Sequence, residues 1–154
     1  MQKLTYSIEI NAPREAVWRA MLEDKTYREW TSVFQEGSYA VTDWSEGSKA
    51  LFLSPTGDGM VSTIAVHRPN EFLSIKHLGT VRNGIATTSS ERAEDWAGAL
   101  ENYSLSGSGR KSTLTIEMDV TDEYRKYFEE TWPKALAKLK AISESASTRA
   151  SGAS

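Results

Sequence analysis

The chain contains two histidines, His67 and His77, and no cysteine. Acid–base, nucleophilic and metal chemistry therefore has few residues to draw on. Without a thiol there is no cysteine nucleophile, no disulfide and no thiolate ligand for zinc or an iron–sulfur cluster. Two imidazoles also fall short of a histidine-built zinc site. His67 closes an extended segment beside Arg68-Pro69 and is expected at the surface. His77 shares an alternating face with Leu73 and Ile75. Two readings of it stay open: a satisfied core histidine, or a polar group that meets a ligand in a cavity. Together with Glu101 or Tyr103 it is the one visible source of a perturbed acid–base group.

Other chemically suggestive patterns fail on spacing. Gly107-Ser108-Gly109-Arg110-Lys111-Ser112 has the composition of a phosphate loop, but no glycine stands directly before the lysine and no helix follows. It reads as a hairpin turn between two strands. No G-x-S-x-G elbow and no H-E-x-x-H motif occurs. The acidic groups Glu91/Glu94/Asp95 and Glu129/Glu130 are explained by a solvated loop and a solvated helix face. With 18 basic against 21 acidic residues the net charge is −3, and no basic stripe interleaves with aromatics. A nucleic-acid partner is therefore not expected. No cofactor and no metal is expected either.

The elements that must position these groups follow from periodicity. Leu4, Tyr6, Ile8 and Ile10 alternate with polar residues, which makes 3–10 a half-buried strand. Pro13 ends that strand and suits the start of a helix, whose apolar stripe is Val17, Trp18, Met21 and Leu22. Thr26 with Glu29 reads as a capping box opening a second short helix through Trp30 and Phe34. From Tyr39 to Val120, turn signals such as Asn83-Gly84 divide the chain into strands near 48–54, 60–67, 71–82, 98–106 and 111–120. Residues 85–97 fit neither period and read as a long polar loop anchored by Trp96, a candidate lid. A last helix is expected from 122 to 142, capped by Thr121, with Tyr124, Phe128, Trp132, Leu136, Leu139 and Ile142 on one face. Pro133 should kink it or start it anew. Residues 143–154 are Ser/Ala-rich and expected to be a disordered tail, leaving 1–142 as a single domain. No run approaches the ~20 apolar residues of a membrane span, and no signal peptide precedes the first strand, so a cytoplasmic protein is expected.

The order strand, two short helices, antiparallel strands, long helix comes with a resemblance. Ile10-Asn11-Ala12-Pro13-Arg14-Glu15-Ala16-Val17-Trp18-Arg19-Ala20-Met21 resembles the I-x-A-P-x-E-x-V-W-x-A-L opening of the START/birch-pollen-allergen (SRPBCC, helix-grip) superfamily. Trp30 stands where that superfamily often ends its second helix with tryptophan. The stretches Glu101-Asn102-Tyr103-Ser104-Leu105 and Ser112-Thr113-Leu114-Thr115-Ile116 are similar to its last two strands. Trp132 to Lys140 is similar to the W-x-x-x-L-x-x-L-K helix of one branch, the homologues of the activator of the Hsp-ninety chaperone ATPase. The resemblance implies an α+β helix-grip fold: a curved antiparallel sheet of about 6–7 strands around a long C-terminal helix, after two short helices. The 154 residues leave no room for that activator's separate N-terminal chaperone-binding domain, so direct ATPase stimulation is not expected.

A sheet gripping an aromatic helix can enclose a cavity. Strand phase places Phe52, Ile64, Ile75, His77, Tyr103 and Met118 below it, and Phe128, Trp132 and Leu136 above. The leading expectation is a non-catalytic domain, monomeric or homodimeric, that binds an apolar or lipid-like small molecule. The alternatives are a stress-related partner of a chaperone, and a cyclase- or hydrolase-like enzyme that uses the cavity. The same side chains also suffice for a solid core.

Overall fold

The computed structural model describes residues 2–87 and 98–152. Its strands are β1 (Gln2–Ile10), β2 (Tyr39–Val41), β3 (Lys49–Leu53), β4 (Gly59–Arg68), β5 (Phe72–Arg82), β6 (Ile85–Thr87), β7 (Leu100–Ser108) and β8 (Lys111–Val120). The helices are α1 (Arg14–Leu22), α2 (Asp24–Thr31) and α3 (Asp122–Gly152). All strand pairings are antiparallel, in the order β1-β8-β7-β5-β4-β3-β2, with β6 folded onto β5. This is the helix-grip architecture: eight strands form a curved sheet, and α3 crosses its concave side.

Local chemistry accounts for the long elements. β1 and β8 keep an unbroken register from Gln2↔Val120 to Ile10↔Ser112, so the inward sets of both strands stay in phase. The Asn83-Gly84 pair takes positive φ at both positions, 52° and 77°, and closes a two-residue hairpin from β5 into β6. Residues 85–87 are therefore a strand, where a loop was expected. The rest of that segment, including Trp96, lies outside the described residues. The glycine-rich stretch before Lys111 is the β7–β8 hairpin, with Ser108 opposite Lys111. A Cβ on Gly107 would meet the Lys111 carbonyl at 2.3 Å, which explains why glycine stands there.

The helix ends differ from the sequence reading. α2 starts at Asp24, with Glu23 preceding it in extended conformation, and the Thr26 hydroxyl donates to the Glu23 carbonyl instead of capping. Thr121 precedes α3, but its buried hydroxyl has no partner. Pro133 lies within α3 and does not end it. The helix also continues through Gly152, beyond the expected end at Ile142. Ser143 is fully buried and bonds back to the Leu139 carbonyl at 2.8 Å, and Glu144 accepts from the Asn11 amide at 2.8 Å. The small, polar composition of this stretch hid those anchors.

The solid part of the interior lies where α1, β1, β8 and the middle of α3 meet. Ile10, Val17, Met21, Leu114, Ile116 and Leu139 are among its fully buried side chains. Small residues, Ala12 and Ala135, let the layers approach closely. One buried hydrogen bond, Ser112 Oγ to the Ala12 carbonyl at 2.6 Å, ties the β1–α1 turn to β8.

Candidate functional site

At the other end of the same interior the layers stand apart. A cavity of about 490 Å³ lies between the sheet, α2, the turns that follow it, and the first half of α3. That is the size range of small-molecule sites, roughly 300–1,000 Å³. Its walls are aromatic. Trp132 stacks near Phe34 with centroids 4.9 Å apart, near Trp30 at 6.2 Å and near Tyr103 at 6.3 Å. Phe34 also meets Phe128 at 6.1 Å, and Tyr27 meets Phe52 at 6.4 Å. These edge-on and tilted ring pairs brace a frame around the space.

Of the residues expected to face a ligand, Phe52, His77, Tyr103, Met118, Phe128 and Trp132 all line this space. Ile64, Ile75 and Leu136 do not; they belong to the solid core, with at most 3% of their surface exposed. Inward phase is shared by both groups, and Ile75 even stands opposite Glu101, so phase alone does not tell a cavity wall from filled core. Several lining residues were not anticipated. Tyr27 and Thr31 come from α2, Phe34 and Gln35 from the turn after it. Thr80 and Arg82 come from β5 beyond a bulge: Ser62 pairs with His77 but Val61 with Gly79, so Leu78 is an extra residue. Beyond the bulge strict alternation is lost: Thr80, Val81 and Arg82 all border the cavity.

A polar cluster is set into the apolar wall. His77 is 4% exposed, and its Nδ1 lies 2.6 Å from the Ser62 hydroxyl, which is wholly buried. Its Nε2 lies 3.2 Å from Glu101 Oε1. The Tyr103 hydroxyl donates to the other carboxylate oxygen, Oε2. Backbone placement is firm: the His77 amide donates to the Ala99 carbonyl, and Glu101 sits opposite Ile75 on β5 and Met118 on β8. Burial, then the charge of Glu101 and the hydrogen bond to it, hold the Tyr103 phenol well above its ordinary range. Burial, then the same carboxylate, raise the Tyr27 phenol as well. Both phenols stay neutral at physiological pH.

Serine, histidine and glutamate in a row have the composition of a nucleophile–base–carboxylate relay. The exposure runs the wrong way for one. Ser62 has no accessible surface, whereas Glu101 lines the cavity. The serine orients the imidazole, the imidazole orients the carboxylate, and the carboxylate borders the cavity. His67, expected at the surface, is half-buried, with its ring 5.6 Å from Trp18 and its Nδ1 2.5 Å from the Trp44 carbonyl. It takes no part in the cavity. No group of acidic or histidine side chains among the described residues has the clustering of a metal site. Nor is any described helix long and apolar enough to cross a membrane.

No protein-family model and no curated protein sequence matches the chain. Solved structures do match it. Protein MLL2253 from Mesorhizobium loti is similar with a TM-score of 0.68 at 17% identity, over 92% of this chain and 96% of that one. The Aha1 dimer from Colwellia psychrerythraea gives 0.66 at 18% identity, over 94% and 97%. CalU16 from Micromonospora echinospora gives 0.64 at 16% identity, over 96% and 79%. At these identities the likeness establishes a shared fold across nearly the whole chain, a curved antiparallel sheet closed by a long C-terminal helix.

Proposed function

We propose that this chain is a START-like binding domain for an apolar small molecule, held between the sheet and the first half of α3. The observation that carries this reading is the cavity itself: about 490 Å³ walled by aromatic rings, with one oriented polar cluster. An interior meant only for stability would close such a space, since each unfilled volume costs packing energy. The superfamily resemblance in the sequence and the fold shared with solved structures agree with it. The ligand is predominantly apolar, with its one polar group beside Glu101. A cytoplasmic location belongs to the same reading.

Titration with an apolar fluorescent dye tests it. Saturable binding is expected, and Met60→Trp, which adds bulk at the cavity wall, should weaken it by about tenfold or more, or roughly 1.4 kcal/mol. The thermal midpoint of that variant should change little. Absence of saturable binding by any apolar probe would overturn the reading.

A second reading, a partner of a chaperone, draws on the sequence resemblance to chaperone-activator homologues and on the likeness to the Aha1 structure. A titration of the chain against a purified chaperone checks it, and no complex at micromolar concentration would sink it. The Aha1 structure is a dimer; size measurement in solution separates a homodimer from a monomer here.

A further inference from the structure

The polar cluster also says which ligands the cavity selects, and this step rests on the binding reading above. Count the hydrogens. His77 Nε2 faces a carboxylate oxygen, so it carries a proton and donates it to Glu101 Oε1. The Tyr103 hydroxyl donates to Glu101 Oε2. His77 Nδ1 is engaged with the Ser62 hydroxyl, which lies wholly behind the wall. Every donor of the cluster is thus committed to another member of it. What remains open to the cavity is acceptor capacity, the spare lone pairs of the Glu101 carboxylate, whose side chain keeps 17% of its surface exposed. Each carboxylate oxygen can accept about two hydrogen bonds and has one identified partner within the protein.

We infer that Glu101 is a specificity-determining residue that selects apolar ligands ending in a hydrogen-bond donor, an amine or a hydroxyl, and rejects apolar carboxylates. A ligand ammonium or hydroxyl donates to Glu101 without displacing His77 or Tyr103. A ligand carboxylate brings a second negative charge against Glu101 in a poorly solvated site and finds no free donor in the cluster. The cation that lines the cavity, Arg82, is exposed at its rim and does not neutralise the depth.

Three probes of one chain length test the inference: decylamine, decan-1-ol and decanoate, each competed against the apolar dye below its aggregation concentration. The intact chain is expected to bind the amine and the alcohol at least about tenfold more tightly than decanoate, the scale of one well-formed charge-assisted hydrogen bond. In Glu101→Gln the amine should lose about tenfold and decanoate should gain, since the amide supplies a donor. Tyr103→Phe keeps the ring, frees one more acceptor position on Glu101, and should strengthen the amine. This variant preserves the test if Glu101→Gln fails to fold. Equal or tighter binding of decanoate, or an unchanged order of affinities in both variants, overturns the selectivity while leaving the binding reading intact. Failure of the dye and all three probes overturns both.

Discussion

Between Asp122 and Trp132 the last helix covers open space, and between Trp132 and Ser143 it is packed solid against the same sheet. The two regions differ in the shapes of their side chains more than in their apolarity. At the closed end, alanines at 12 and 135 and fully buried aliphatic side chains such as Leu114 and Leu139 make up the packing. At the open end the contacts are ring to ring, at centroid distances of 4.9 to 6.3 Å around Trp132. Rings that brace one another edge-on or tilted act as struts that keep the layers separate. Trp132 stands at the boundary: it lines the cavity, yet it is 1% exposed, and its indole N–H points at the Met118 sulfur 2.8 Å away. An aromatic-rich sequence can therefore be a sign of space as much as of filling.

Substitutions on either side of that boundary should behave differently. Leu139→Ala, at the closed end, is expected to cost about 2–5 kcal/mol, because a fully buried side chain leaves a void that α1 and β1 cannot close. Denaturant unfolding measures it. Ser112→Ala comes next, at roughly 1–3 kcal/mol, since it orphans the Ala12 carbonyl beneath α1. Phe128→Ala, in the roof, removes a ring that already borders open space; about 1 kcal/mol or less is expected, with a clear loss of dye affinity. If Phe128→Ala destabilises as much as Leu139→Ala, the roof is core and the contrast between the two ends is wrong.

Much of this contrast was legible before any coordinates. The alternation of Leu4, Tyr6, Ile8 and Ile10 and that of Leu114, Ile116 and Met118 specify β1 and β8, which carry no bulge in their shared register. The helical spacing of Phe128 and Trp132 specifies the roof. Three features resisted. Strands β2 and β6 are three residues long, too short to show a period. The role of α2 depends on how it packs, fixed by the Trp30 indole donating to the Met21 carbonyl at 3.2 Å, and a helix wheel does not report that. The bulge at Leu78 breaks phase counting along β5, which is why Thr80 and Arg82 were missed. Ile64, Ile75 and Leu136 were assigned to a ligand because phase says which side of a strand or helix faces inward and says nothing of where the interior is left open.

Pro133 has a mechanical consequence. It follows Trp132 directly, at the junction between roof and anchor. Proline has no amide hydrogen, so the bond that would tie this turn back to the Glu129 carbonyl does not exist. The roof is joined to the anchored half of the helix through a turn with one restraint fewer than its neighbours. A roof that lifted to admit the proposed ligand would begin to move where the covalent structure has already removed a hydrogen bond. Pro133→Ala restores it, and the expected result is a small one: slower amide exchange over the turn around Trp132 and slower ligand exchange, at nearly unchanged affinity. A residue outside the cavity wall would then govern how readily the roof moves.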